Sequence, residues 1–139
     1  MTDTDTRSDS RTDARLGPVL ERIDAELEPA LDRLTALLAI PSVSTDPAYA
    51  AECRRAADWL VADLDGIGFE ARRADTPGHP MVLAHGGPSD GPRYLFYGHY
   101  DVQPADPLEL WTSAPFDPVV EQTARGRVIR ARGASDDKG

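Results

Sequence analysis

The run Arg93-Tyr94-Leu95-Phe96-Tyr97-Gly98-His99-Tyr100-Asp101 constrains the fold more than any other part of the chain. Tyr94 to Tyr97 are apolar or aromatic at successive positions, without the alternation of a half-solvated strand. That pattern predicts a strand buried on both faces, as in an α/β sheet with helices on either side. It ends on a histidine and a carboxylate two residues apart, and a long proline-rich loop follows, "VQPADPLELWTSAPFDP". In extended backbone, residues two apart point to the same side. Asp101 is therefore expected to reach the His99 imidazole. A carboxylate bonded to one ring nitrogen fixes the tautomer and makes the other nitrogen a stronger metal ligand. Ligands of α/β sheets gather where strands give way to loops, so His99 and Asp101 are expected at the mouth of a cleft.

Upstream, apolar residues recur at positions 20, 23, 27, 31, 34 and 38, which predicts an amphipathic helix over 18–39, kinked or split at Pro29. "IPSVSTDP" interrupts it. Asp46 is then a good N-cap with Pro47 in the first turn, opening a helix over about 47–65 that stops at Gly66 and Gly68. Strands are expected over 69–75, 80–86 and 93–98, with a shorter one within 126–134. Cys53 falls on the same helical face as Ala50, Ala57 and Leu60 and reads as a small core residue.

The first fifteen residues, "MTDTDTRSDSRTDAR", hold only Met1 and Ala14 as apolar side chains. They read as a disordered tail, which leaves 16–139 as one domain. They have no apolar core of a secretory signal. No apolar run approaches the roughly 18 residues of a membrane span. The net charge of −9 argues against nucleic acid as a partner. The chain is expected to act in the cytoplasm.

The sequence closes on "RGASDDKG". Paired aspartates after an apolar strand are costly near a core unless a cation or hydrogen bonds satisfy them. Borderline cations take such oxygens together with imidazole nitrogen, so His99 with one of these aspartates is half of a metal site. His79 and His85 read as loop and strand-end structure.

"GHYDVQPADPLELWTSAPFDPVV" and "RARGASDDKG", with "LLAIPSVS" at 37–44 and "GFEARR" at 68–73, resemble the dinuclear zinc exopeptidase family. That family includes carnosine dipeptidase, glutamate carboxypeptidase and acetylornithine deacetylase. The resemblance covers about residues 30–139, and "GHYDVQP" looks most like the dipeptidase branch. It implies an α/β fold: part of a zinc-peptidase catalytic domain, with helices packed on a mixed, largely parallel sheet. His99 then matches a zinc ligand, and Asp101 the catalytic aspartate that orients it. Asp136 matches the carboxylate bridging two zinc ions, Asp137 a neighbour of the site, and Lys138 a structural residue. Trp111, Pro115 and Phe116 match positions near the cleft and are expected to pack. Ala131 departs from the glycine more usual there.

The implied reaction is hydrolysis of the amide bond of a dipeptide or small peptide with two Zn2+ per subunit, Mn2+ or Co2+ being alternatives. The base glutamate and the other ligands are expected beyond Gly139, as is a lid domain that mediates homodimerisation. The chain is thus expected to be an N-terminal part of a longer enzyme, inactive alone. The rival readings are a hydrolase of N-acyl amino acids and a non-catalytic binding protein.

Overall fold

The computed structural model describes residues 9–136, 138 and 139, with backbone only for 9–15. The chain divides into two units, Met1–Arg33 and Leu34–Gly139. Helix α1 spans Asp9–Leu38. Of the tail expected over 1–15, residues 1–8 lie outside the described residues and 9–15 have helical backbone. The break expected at Pro29 does not occur, and the helix also runs through Pro18. Proline removes one N–H and frees the carbonyl four residues back. For Pro29 that is Ala25, an exposed residue whose carbonyl water can satisfy. Leu16, Leu20, Ile23 and Leu27 follow the predicted helical stripe and are all exposed.

In the second unit the last turn of α1 buries Leu37 and Leu38. Asp46 caps a short 3-10 turn, Pro47–Tyr49, by accepting from the Ala48 N–H at 2.9 Å. Helix α2, Ala50–Gly66, follows. It buries Cys53, Ala56 and Ala57, with Trp59 and Leu60 partly covered. It ends in a Schellman arrangement: Gly68, at φ +94°, donates to Asp65 O at 3.0 Å and Phe69 donates to Leu64 O at 3.0 Å. Burial, with the Asp101 charge nearby, pushes the Cys53 thiol pKa up. The thiol is a packing group.

Strands β1 (Glu70–Ala74) and β2 (Met81–His85) lie where strands were expected and pair antiparallel, in register Glu70↔His85 to Ala74↔Met81. Both strands pack on α2, and Arg73 ties them to it through the Asp58 carboxylate at 2.6 and 2.8 Å. A second hairpin joins β3 (Val119–Thr123) to β4 (Gly126–Arg130). The expected strand over 126–134 is thus cut short at Arg130, and residues 132–136 form a turn.

The α/β class holds, but the sheet differs from expectation. Both sheets have two strands and are antiparallel. The parallel element is one bridge, Val43↔Val102. The expected strand over 93–98 is extended chain with no strand assignment. Tyr94, Leu95, Phe96 and Tyr97 are 79–96% exposed. A strand apolar on both faces needs sheet neighbours and covering layers, and among the described residues none pairs with it. β2 leaves Met81 and His85 exposed at its ends.

The core that matters for the site is small: Leu37, Leu38, Ile40, Val43, Cys53, Ala56, Ala57 and Val102. Gly133 presses against it. A Cβ on Gly133 would stand 2.9 Å from Val102 Cγ1 and 3.5 Å from Leu38 Cδ2, and its φ is +88°. Gly133→Ala should therefore cost about 2 kcal/mol, from left-handed backbone and overpacking together. Urea unfolding measures it; an unchanged midpoint would contradict the close approach.

Candidate metal centre

The segment Ile40-Pro41-Ser42-Val43-Ser44 runs beside Tyr100-Asp101-Val102. Val102 N–H donates to Ser42 O at 3.0 Å, and the Ser42 hydroxyl donates to Tyr100 O at 2.6 Å. Ser42 is fully buried. The next serine, on the same side, donates to the carboxylate: Ser44 Oγ to Asp101 Oδ2, 2.5 Å. The Tyr100 side chain goes the other way and donates to Pro80 O at 2.5 Å; burial pushes its pKa up to about 12.

His99 and Asp101 meet as the spacing predicted. His99 Nδ1 lies 3.0 Å from Asp101 Oδ1 and 3.1 Å from Asp101 O. Both partners are acceptors, so Nδ1 carries the proton and Nε2 is the nitrogen with ligand character. Burial pushes the Asp101 carboxyl pKa up, but hydrogen bonds from Ser44 and His99 outweigh it and hold the group below its ordinary value. Asp101 is a carboxylate at neutral pH. The two side chains are 44% and 41% exposed, so the pair is open to solvent.

Asp136 sits, exposed, at the end of the 132–136 turn. That turn is fastened next to Asp101 by the approach of Gly133 to Val102. Asp137 lies outside the described residues. Among the described residues, no three His, Cys, Asp or Glu side chains group closely enough to hold a metal ion. By donor type, an imidazole and a carboxylate suit zinc, which takes about four ligands. What is present is a partial donor set of the right chemistry.

Lys138 reaches into the fold. Its ammonium donates to Leu37 O at 2.9 Å and Ile40 O at 2.7 Å. Burial pulls its pKa down to about 8, which leaves it mostly cationic at neutral pH. The structural part expected of it is what the contacts show. His79 is structural too, its Nε2 2.8 Å from Ser44 O. Trp111 donates to Ala105 O at 2.8 Å, with the Arg132 guanidinium 5.0 Å from the ring centroid. Pro115 and Phe116 line a cleft of ≈ 210 Å³ with Val43, Asp46 and Tyr49. Neither His99, Asp101 nor Asp136 lines it.

Sequence reasoning missed both serines. Their alternation at 42 and 44 was the available signal, but their partners lie 57 and 58 positions away.

No protein-family model matches the chain. Among curated proteins, it is 32% identical over 117 residues to the Cys-Gly metallodipeptidase dug1 of Schizosaccharomyces pombe, covering 76% of this chain and 24% of that protein. It is 41% identical over 81 residues to a succinyl-diaminopimelate desuccinylase of Aromatoleum aromaticum, covering 58% and 20%. Among solved structures, the dipeptidase Dug1p from Saccharomyces cerevisiae superposes with a TM-score of 0.78 at 30% identity, over 88% of this chain and 28% of that one. The chain thus spans about a quarter of the length of these dipeptidases.

Ser42→Ala should lose about 1–2 kcal/mol, because it strips a partner from a backbone carbonyl in the core. Ser44→Ala should lose less, its bond being partly solvated. Urea midpoints of the two variants would show this order; the reverse order would place the main anchor at the carboxylate.

Proposed function

We propose that this chain, over the quarter of their length that it spans, belongs with the dinuclear zinc exopeptidases, and that the protein is a metal-dependent dipeptidase. The observation that carries the reading is the hydrogen bond from His99 Nδ1 to the Asp101 carboxylate, at 3.0 Å. It orients an imidazole as a metal ligand in a segment that matches metallodipeptidases.

His99, through Nε2, and Asp136, through its carboxylate, would hold Zn2+, and on the family pattern the full site would take two ions. When bound, the metal would polarise the scissile carbonyl and bring the pKa of a bound water toward neutrality. The chain's own residues prepare this. Asp101 keeps the Nδ1 proton in place and stabilises positive charge on the ring. Ser44 holds one carboxylate oxygen, so that the other stays on His99. Ser42 fixes the backbone on which both stand. The glutamate that takes the proton of water, the remaining ligands and the lid domain of a homodimer belong, on this reading, to the part of the relatives that this chain does not span. Residues 1–139 alone would then be inactive.

The substrate is a dipeptide or small peptide and the compartment the cytoplasm. Among the described residues no helix is long and apolar enough to cross a membrane. A second reading, hydrolysis of N-acyl amino acids, is favoured by the desuccinylase likeness over 81 residues. Assaying the whole protein on dipeptides and on N-acyl amino acids separates the two.

In the whole protein, Asp101→Asn should weaken zinc affinity or activity about 10–100-fold, the usual effect of losing a partner that orients a ligand. His99→Ala should do more, because it removes the ligand itself. Wild-type zinc affinity and turnover in Asp101→Asn would refute the orienting role.

A further inference from the structure

The turn that carries Asp136 is anchored at its other end by Lys138. The Lys138 backbone N–H donates to Gly133 O at 2.7 Å, closing the turn on itself. The Lys138 ammonium then crosses to the last turn of α1 and its exit, where it holds Leu37 O and Ile40 O. These carbonyls lie 101 and 98 positions away in the chain. The last carbonyls of a helix have no partner within it and carry its negative end, so a cation there both satisfies and complements them. Lys138 is the only lysine, against fourteen arginines. A slender stem with a compact ammonium can enter this half-buried space and bond two convergent carbonyls, whereas a planar guanidinium presents a wide fork.

The same segment has a second customer. Residues 37–40 lead directly into Ser42 and Ser44, which hold the backbone of Tyr100 and the carboxylate of Asp101. Residues 37–44 therefore serve as a common base. It holds both the extended segment that follows His99 and the turn with Asp136.

We infer that Lys138 is a positioning residue for the metal centre: by clamping the Asp136 turn to the end of α1, it sets that carboxylate against the His99–Asp101 pair. The inference rests on the proposed metal site and adds to it the element that brings its two ligands into register.

The test is Zn2+ affinity of the whole protein, measured by competition with a chromophoric chelator well below the unfolding temperature. Asp136→Asn is measured first. If it binds Zn2+ as wild type does, the metal reading itself falls and this inference with it. Given a loss in Asp136→Asn, Lys138→Met keeps the length of the stem and removes the donor. It should weaken Zn2+ binding about 10–100-fold, and Lys138→Arg, which restores a cation but brings a wider fork to the two carbonyls, should recover only part of it. Wild-type affinity in Lys138→Met, even with a lowered melting temperature, would overturn the inference and leave Lys138 a stability residue alone. Should Lys138→Met fail to fold, Lys138→Gln takes its place: an intermediate affinity supports the clamp, and wild-type affinity refutes it.

Discussion

Everything around the candidate site depends on a few residues, 40–44, lying alongside 100–102. The contact is a fragment of parallel sheet, one bridge long, from Val43 to Val102. So short a pairing has little stability of its own. It is held by what surrounds it: Val43 and Val102 are buried, Ser42 is buried and bonded to Tyr100 O, and Val102 is bonded to Ser42 O. An unpaired buried hydroxyl or carbonyl would cost about 1–3 kcal/mol, so these bonds choose the register as well as adding stability. A slip by one residue would turn Ser44 away from Asp101 and put a serine where Val43 packs.

This register has a chemical consequence. Asp101 sits between two donors, Ser44 and His99, and its carboxylate form is favoured by both. A carboxylate so held is a fixed negative charge beside the imidazole rather than a mobile one. The histidine is thereby presented in one tautomer on a rigid base, which is what a metal ligand needs before the metal arrives. Neither member of this pair lines the ≈ 210 Å³ cleft of Pro115 and Phe116.

Local rules carried far along the chain. The Asp46 cap, the Gly68 stop, helix α2 and the β1–β2 pair all follow from spacings of a few residues. So does the meeting of His99 and Asp101, two positions apart on extended backbone. What failed was whatever depended on distant partners. Tyr94–Tyr97 reads as a doubly buried strand, yet that reading specifies only what the run would like to touch, and the described residues offer it no neighbour. Pro29 reads as a breaker, yet the carbonyl it frees belongs to Ala25, an exposed residue. β3 went unrecognised although Val119-Val120-Glu121-Gln122-Thr123 stands two residues from Gly126, a hairpin spacing. Ser44 and Lys138 carry no local sign of their partners, which lie 57 to 101 positions away.

The central claim is that His99 and Asp136 ligate one metal ion on the base formed by residues 37–44. Anomalous scattering at the zinc edge, from crystals of the whole protein grown with Zn2+, tests it most directly. The account predicts a peak about 2.0–2.2 Å from both His99 Nε2 and an Asp136 carboxylate oxygen, with Asp101 still bonded to Nδ1. A zinc peak bound elsewhere, or one that touches His99 while Asp136 stays in solvent, would contradict it.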